Sequence, residues 1–131
     1  MENENRKKVL VVDDDQNLRK ILVEKLKISG FDTESAPDGR EGLDKALEWH
    51  PDLILLDILM PNISGWEMLK MLRGDEWGKN ARVIMLTMVE DVDAIARAMQ
   101  DGSFTYLIKT DHTMDSIIEK VQENLRSKHP I

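Results

Sequence analysis

The sequence predicts an α/β domain in which a βα unit recurs five times, giving a five-stranded parallel sheet doubly wound by helices on both faces. Three observations predict it. Short apolar runs of strand length recur along the chain, stretches with helical spacing separate them, and turn-forming residues mark the junctions.

The first run, residues 9–12, is apolar throughout, the pattern of a strand covered on both faces. Leu18, Ile21, Leu22 and Leu26 then fall on one stripe of a helix. After the turn signal Ser29-Gly30 comes a weaker strand over residues 31–35. Pro37-Asp38-Gly39 opens a second helix with the stripe Leu43, Ala46 and Leu47, which His50-Pro51 ends. Residues 53–56 form the third strand, and beyond Pro61-Asn62 a helix carries Trp66, Leu69 and Leu72. Gly74 and Gly78 precede the fourth strand at 83–86. The fourth helical stripe is Val92, Ile95, Ala96 and Met99, closed by Asp101-Gly102. A weaker fifth strand spans 104–108, and Met114, Ile117, Ile118, Val121 and Leu125 mark the fifth helix, with Thr113 as its N-cap. Crossovers of this kind are right-handed, and the flavodoxin-like strand order 2-1-3-4-5 suits a chain of five units. The domain is expected over residues 7–126, with frayed tails at 1–6 and 127–131.

At 131 residues the chain has room for one core, and 41% apolar content is enough to fill it. Eighteen Lys and Arg against 25 Asp and Glu give a net charge of −7, which repels phosphate backbones and argues against direct nucleic-acid binding. There is no cysteine, so disulfides and thiolate metal sites are excluded. No apolar run approaches the ~20 residues needed to span a bilayer, and the polar start shows no signal-peptide pattern. A cytoplasmic location without membrane insertion is expected.

The chemistry-bearing residues sit where the strands end. The first strand ends in Asp13-Asp14-Asp15, the third in Asp57, the fourth in Thr87, and the fifth in Lys109. In a parallel sheet these ends share one edge, and ligands bind there, beside the point where strand order reverses. Taken singly, the acidic run caps a helix, Asp57 makes a turn, Thr87 ends a strand and Lys109 is a solvated charge. Together they form a cluster of carboxylates that repel one another unless a cation or proton intervenes. Oxygen-only donors suit Mg²⁺, Lys109 suits a phosphate oxygen, and Thr87 offers a hydroxyl donor. Carboxylate, metal, ammonium and hydroxyl make a phosphoryl-transfer site.

The stretches VLVVDDD, DLILLDILMPNISGWEML, VIMLT and YLIK, in this order and spacing, resemble the receiver domain of bacterial two-component response regulators. The resemblance covers nearly the whole chain and extends to stand-alone, chemotaxis-regulator-like members. It implies that Asp57 is the phosphoacceptor, and that Asp14 binds Mg²⁺ directly, Asp13 through water, and Leu59 through its backbone carbonyl. Thr87 and Lys109 would hold the phosphoryl oxygens, and Tyr106 would be the aromatic switch. The implied partners are a sensor histidine kinase or phosphotransfer protein and a downstream protein contacted through the fourth helix, fifth strand and fifth helix. The implied role is a signalling switch rather than an enzyme, a phosphoacceptor that catalyses its own phosphorylation and dephosphorylation. With no output domain after Leu125, the signal is expected to pass by protein contact.

Three departures from the family pattern stand out. Thr110 follows Lys109 where proline with a cis bond is usual, and a cis non-proline bond costs about 3 kcal/mol, so a trans bond or a strained one is expected. Met88 follows Thr87 where a small residue is common. Leu59 and Val89, flanking the phosphoryl position, cannot hydrogen-bond an attacking water, which predicts slow self-dephosphorylation. His50, His112 and His129 lack metal-ligand spacing and belong to the surface, while Trp77, in the polar loop 73–82, covers a sheet edge or marks a contact surface.

Two other functions compete. A phosphatase resembling the haloacid dehalogenase group would use Asp13 and Asp15 as its Asp-x-Asp motif, although Gln16-Asn17 stand where Thr or Val is expected. A pseudo-receiver would bind partners without phosphorylation, a reading that Thr110 and Met88 favour and the intact acidic cluster opposes.

Overall fold

In the computed structural model the described residues are 6–87, 105–109 and 112–126. The strands are β1 (Lys8–Val12), β2 (Asp32–Ala36), β3 (Leu53–Leu56), β4 (Val83–Thr87) and β5 (Thr105–Ile108). They pair in parallel, as the alternation of elements predicts, in the order β2-β1-β3-β4-β5 expected for a chain of five units. Helices α1 (Gln16–Ile28), α2 (Gly39–Trp49) and α3 (Gly65–Arg73) follow the first three strands, and a last helix spans Met114–Arg126. The expected fourth helix and the Lys109–Thr110 bond fall outside the described residues.

Strand alternation divides the core into two layers. Leu10, Val12, Ile54, Leu56, Val83 and Met85 pack with Leu43, Ala46, Met68, Leu69 and Leu72 of α2 and α3. Val9, Val11, Leu53, Leu55, Ile84 and Leu86 face the other way, onto Leu22 and Leu26 of α1 and Ile117, Ile118 and Val121 of the last helix. Both faces of the central strands are therefore covered, which is why β1, β3 and β4 read as unbroken apolar runs. Each fully buried Leu or Ile contributes about 1.5–3 kcal/mol by leaving water. The edge strand β2 is the exception: only Ala36 is buried along it, so DTESA carries little strand signal.

Local side-chain bonds set the helix starts. Asp15 accepts from the backbone N–H groups of Asn17 and Leu18 and so caps α1, leaving Asp13 and Asp14 free of that duty. Asp38 caps α2 through the Glu41 N–H, and Ser64 and Glu67 form a capping box on α3. Thr113 Oγ1 accepts from the Ser116 N–H at 3.0 Å, the cap expected for the last helix. Helix α2 ends with His50 in the left-handed region, at φ 52°, and Pro51 prevents its continuation.

That His50 ring stacks on Trp77, with centroids 4.3 Å apart and planes 8° from parallel. Trp77 also packs against the α2–α3 layer, so it is a core contact of its loop rather than an open patch. Such ring pairs contribute about 0.5–1.5 kcal/mol beyond their buried area. His112 meets Ser116 instead, Nδ1 to Oγ 3.0 Å. Among the described residues no helix is long and apolar enough to cross a membrane.

Candidate functional site

Sheet register assembles the site. Val12 and Leu56 are partners across β1 and β3, so the next residues, Asp13 and Asp57, leave the sheet side by side. The Asp57 N–H donates to the Val12 carbonyl at 2.9 Å, which extends the ladder one residue past β3. On the other side, Thr87 pairs with Ile108, bringing the end of β4 beside the residue that precedes Lys109. Asp13, Asp14 and Asp57 present carboxylate oxygens all within 4.8 Å of one another.

Their surroundings differ. Asp13 and Asp57 are buried, at 2% and 6% exposure, whereas Asp14 faces solvent. Lys109 Nζ lies 2.9 Å from Asp13 Oδ2 and 3.7 Å from Asp57 Oδ1, with only 15% of its side chain exposed. Burial pushes the Asp57 carboxyl up to about 7. The Asp13 charge and, to a smaller degree, Asp14 contribute to that rise, and Lys109 and the Ile58 N–H limit it. One ammonium therefore does not neutralise the cluster.

The loop after β3 keeps Asp57 in register with this cluster. The Gly65 N–H donates to the Ile58 carbonyl at 2.8 Å, closing the loop onto the start of α3. Asn62 takes φ 69° within that loop, as the Pro61-Asn62 signal allows. Leu59, two residues past Asp57, is 64% exposed. Tyr106 is half-buried on β5, opposite Met85, against the α2–α3 layer. Thr87 is located by its backbone pairing alone, and Met88 and Val89 fall outside the described residues.

A family model for the response regulator receiver domain matches residues 9–122. The chain belongs to that family. Among solved structures, the chemotaxis protein CheY4 of Vibrio cholerae aligns with this receiver at a TM-score of 0.82 and 30% identity, covering 90% of this chain and 98% of that one. The response regulator TrrA of Thermotoga maritima, solved in complex with Mg²⁺ and BeF, aligns at 0.75 and 34%, covering 89% and 97%. The regulatory protein AtoC of Escherichia coli is 36% identical over 102 residues, which are 78% of this chain and 22% of AtoC. This receiver spans 22% to 54% of the length of the curated relatives it matches first.

Two contributors to this receiver's site escape a reading of the sequence. Arg19, which lies off the apolar stripe of α1, donates Nη1 to the Asp13 carbonyl at 2.7 Å. Gly65 packs its backbone against that of Asp57 and Ile58. Pro61-Asn62 signals a turn ahead of it, and no local signal announces so close an approach.

Proposed function

We propose that this receiver is a phosphorylation switch that accepts a phosphoryl group on Asp57 from the phosphohistidine of a histidine kinase or phosphotransfer protein. The observation that carries the reading is a buried Asp57 within 4.8 Å of two further carboxylates and reached by Lys109. The Asp57 carboxylate attacks phosphorus as the bond to the donor imidazole nitrogen breaks, and the Lys109 ammonium neutralises charge on the transferred oxygens. The Thr87 hydroxyl donates to another of those oxygens.

The donors fit Mg²⁺: three carboxylates, with no His or Cys in the cluster among the described residues, and an Asp57 carboxyl held at about 7 by burial and by the Asp13 charge. When bound, Mg²⁺ supplies the charge that keeps Asp57 ionised and gathers phosphoryl oxygens. Asp14, Asp57 and the Leu59 carbonyl would hold it directly. Both Asp13 oxygens are engaged, Oδ1 by the Asp15 N–H at 2.9 Å and Oδ2 by Lys109, which suits a role through water.

Phosphorylation would draw Thr87 toward the site and Tyr106 inward, favouring one surface of the fourth helix, β5 and the last helix for a downstream protein. TrrA, a receiver relative captured with Mg²⁺ and BeF, adds support for this chemistry. Beryllofluoride with Mg²⁺ should bind this protein and shift amide resonances around residues 105–109. Failure to bind would favour an unphosphorylated interaction module instead.

Leu59 gives the phosphoryl group an apolar neighbour. Self-dephosphorylation is therefore expected to be slow, and the Leu59→Asn, Val89→Glu variant to lose its phosphoryl group faster. A wild-type half-life no longer than the variant's, measured from ³²P-labelled protein, would contradict this.

A further inference from the structure

Asp13 is held at every polar group. Its N–H donates to the Ala36 carbonyl at 3.2 Å, Oδ1 accepts from the Asp15 N–H at 2.9 Å, and Oδ2 meets Lys109 at 2.9 Å. The fourth group, its carbonyl, is held by Arg19 Nη1 at 2.7 Å. Arg19 is half-buried one turn into α1, where its own N–H donates to the Asp15 carbonyl at 2.9 Å. Side chains on a helix lean toward its N-terminus, so the guanidinium reaches back over the loop that α1 leaves.

The Asp13 carbonyl belongs to the peptide that joins Asp13 to Asp14. That unit is planar, so fixing its oxygen fixes the nitrogen and Cα of Asp14 as well. Asp14 is exposed and has no burial to hold its backbone in place. A charge-assisted bond is among the stronger restraints available there. From this geometry we infer that Arg19 is a positioning residue of the metal site, orienting the Asp13–Asp14 peptide so that the Asp14 carboxylate faces Asp57. The inference rests on the reading of the acidic cluster as a Mg²⁺ site.

The sign of the effect separates positioning from charge. A guanidinium close to the cluster repels a cation, so charge alone makes Mg²⁺ bind more tightly once Arg19 is removed. Positioning makes it bind more weakly.

The test is calorimetric titration of the full chain with MgCl₂ at pH 8, alongside circular dichroism to confirm folding. Arg19→Ala should weaken Mg²⁺ binding roughly tenfold, the scale found for groups that orient metal ligands. Arg19→Lys, which retains a charged donor, should recover most of that loss. Should Arg19→Ala lose its fold, Arg19→Met carries the same expectation, because it retains the stem packing and has no donor. Unchanged or tighter binding in a folded variant, even with a lowered melting temperature, would overturn the inference. Wild-type protein that takes up no Mg²⁺ would overturn the metal reading of the cluster itself, and the role of Arg19 with it.

Discussion

Replacing Asp57 with Asn should eliminate phosphoryl incorporation from acetyl phosphate while making the metal-free protein more stable at pH 8. The first effect follows from loss of the nucleophile, because Asp13 is tied to Lys109 and Asp14 lies outside the buried centre. The second follows from linkage. Burial and the Asp13 charge put the Asp57 carboxyl at about 7 in the folded protein, against 3.8 for an ordinary aspartate. Between those values the native state keeps a proton that the unfolded chain has released, so stability falls as pH rises through this window. Above it the fold carries the whole penalty of a buried, repelled carboxylate. A shift of this size corresponds to at most about 4 kcal/mol, and water reaching the carboxylate reduces that to about 1–3 kcal/mol. Asp57→Asn should therefore raise the midpoint of urea unfolding at pH 8 in EDTA and leave it unchanged below about pH 4. Added Mg²⁺ should stabilise the wild type and narrow the difference. A variant that is less stable than wild type at pH 8 without metal would show that Asp57 is not held against its own charge.

Gly65→Ala is expected to cost about 3 kcal/mol and to slow phosphorylation of whatever protein folds. A Cβ at Gly65 would stand 2.8 Å from the Ile58 Cα, and the Asp57 carbonyl oxygen lies closer still. Both obstacles are backbone, so relief requires α3 or the loop after β3 to move, and Asp57 moves with that loop. Gly74→Ala is the control. Its Cβ would meet nothing nearer than the Met71 carbonyl at 3.5 Å, and its φ of −80° suits any residue. That substitution should stay within about 0.5 kcal/mol of wild type. Equal destabilisation by the two would remove the special role of the Gly65 contact.

Much of this was legible before any coordinates. The parallel sheet followed from alternating elements, its order from the number of units, and the meeting of Asp13, Asp14, Asp57 and Lys109 from which residues end which strands. Those arguments need only the direction of a parallel sheet, which the sequence pattern carries. Strand β2 was blurred because an edge strand keeps its outer side wet, and Asp32, Thr33, Glu34 and Ser35 answer to solvent rather than to a core. The run Asp13-Asp14-Asp15 left open which residue caps α1, since any of the three has the right side chain. Cap geometry assigns that task to Asp15 and leaves the other two to the site. Arg19, Gly65 and the His50–Trp77 stack depend on where a side chain or backbone lands after folding. Neither periodicity nor turn chemistry encodes that.

Mg²⁺-dependent phosphorylation of Asp57 is the reaction we propose for the carboxylate cluster. Its most direct test is to treat the protein with acetyl phosphate and Mg²⁺, trap the acyl phosphate by borohydride reduction, and locate the modified residue by peptide mass spectrometry. The prediction is modification at Asp57 alone, absent when EDTA replaces Mg²⁺. Modification at Asp13, or none at any aspartate under conditions where Mg²⁺ binds, would contradict it.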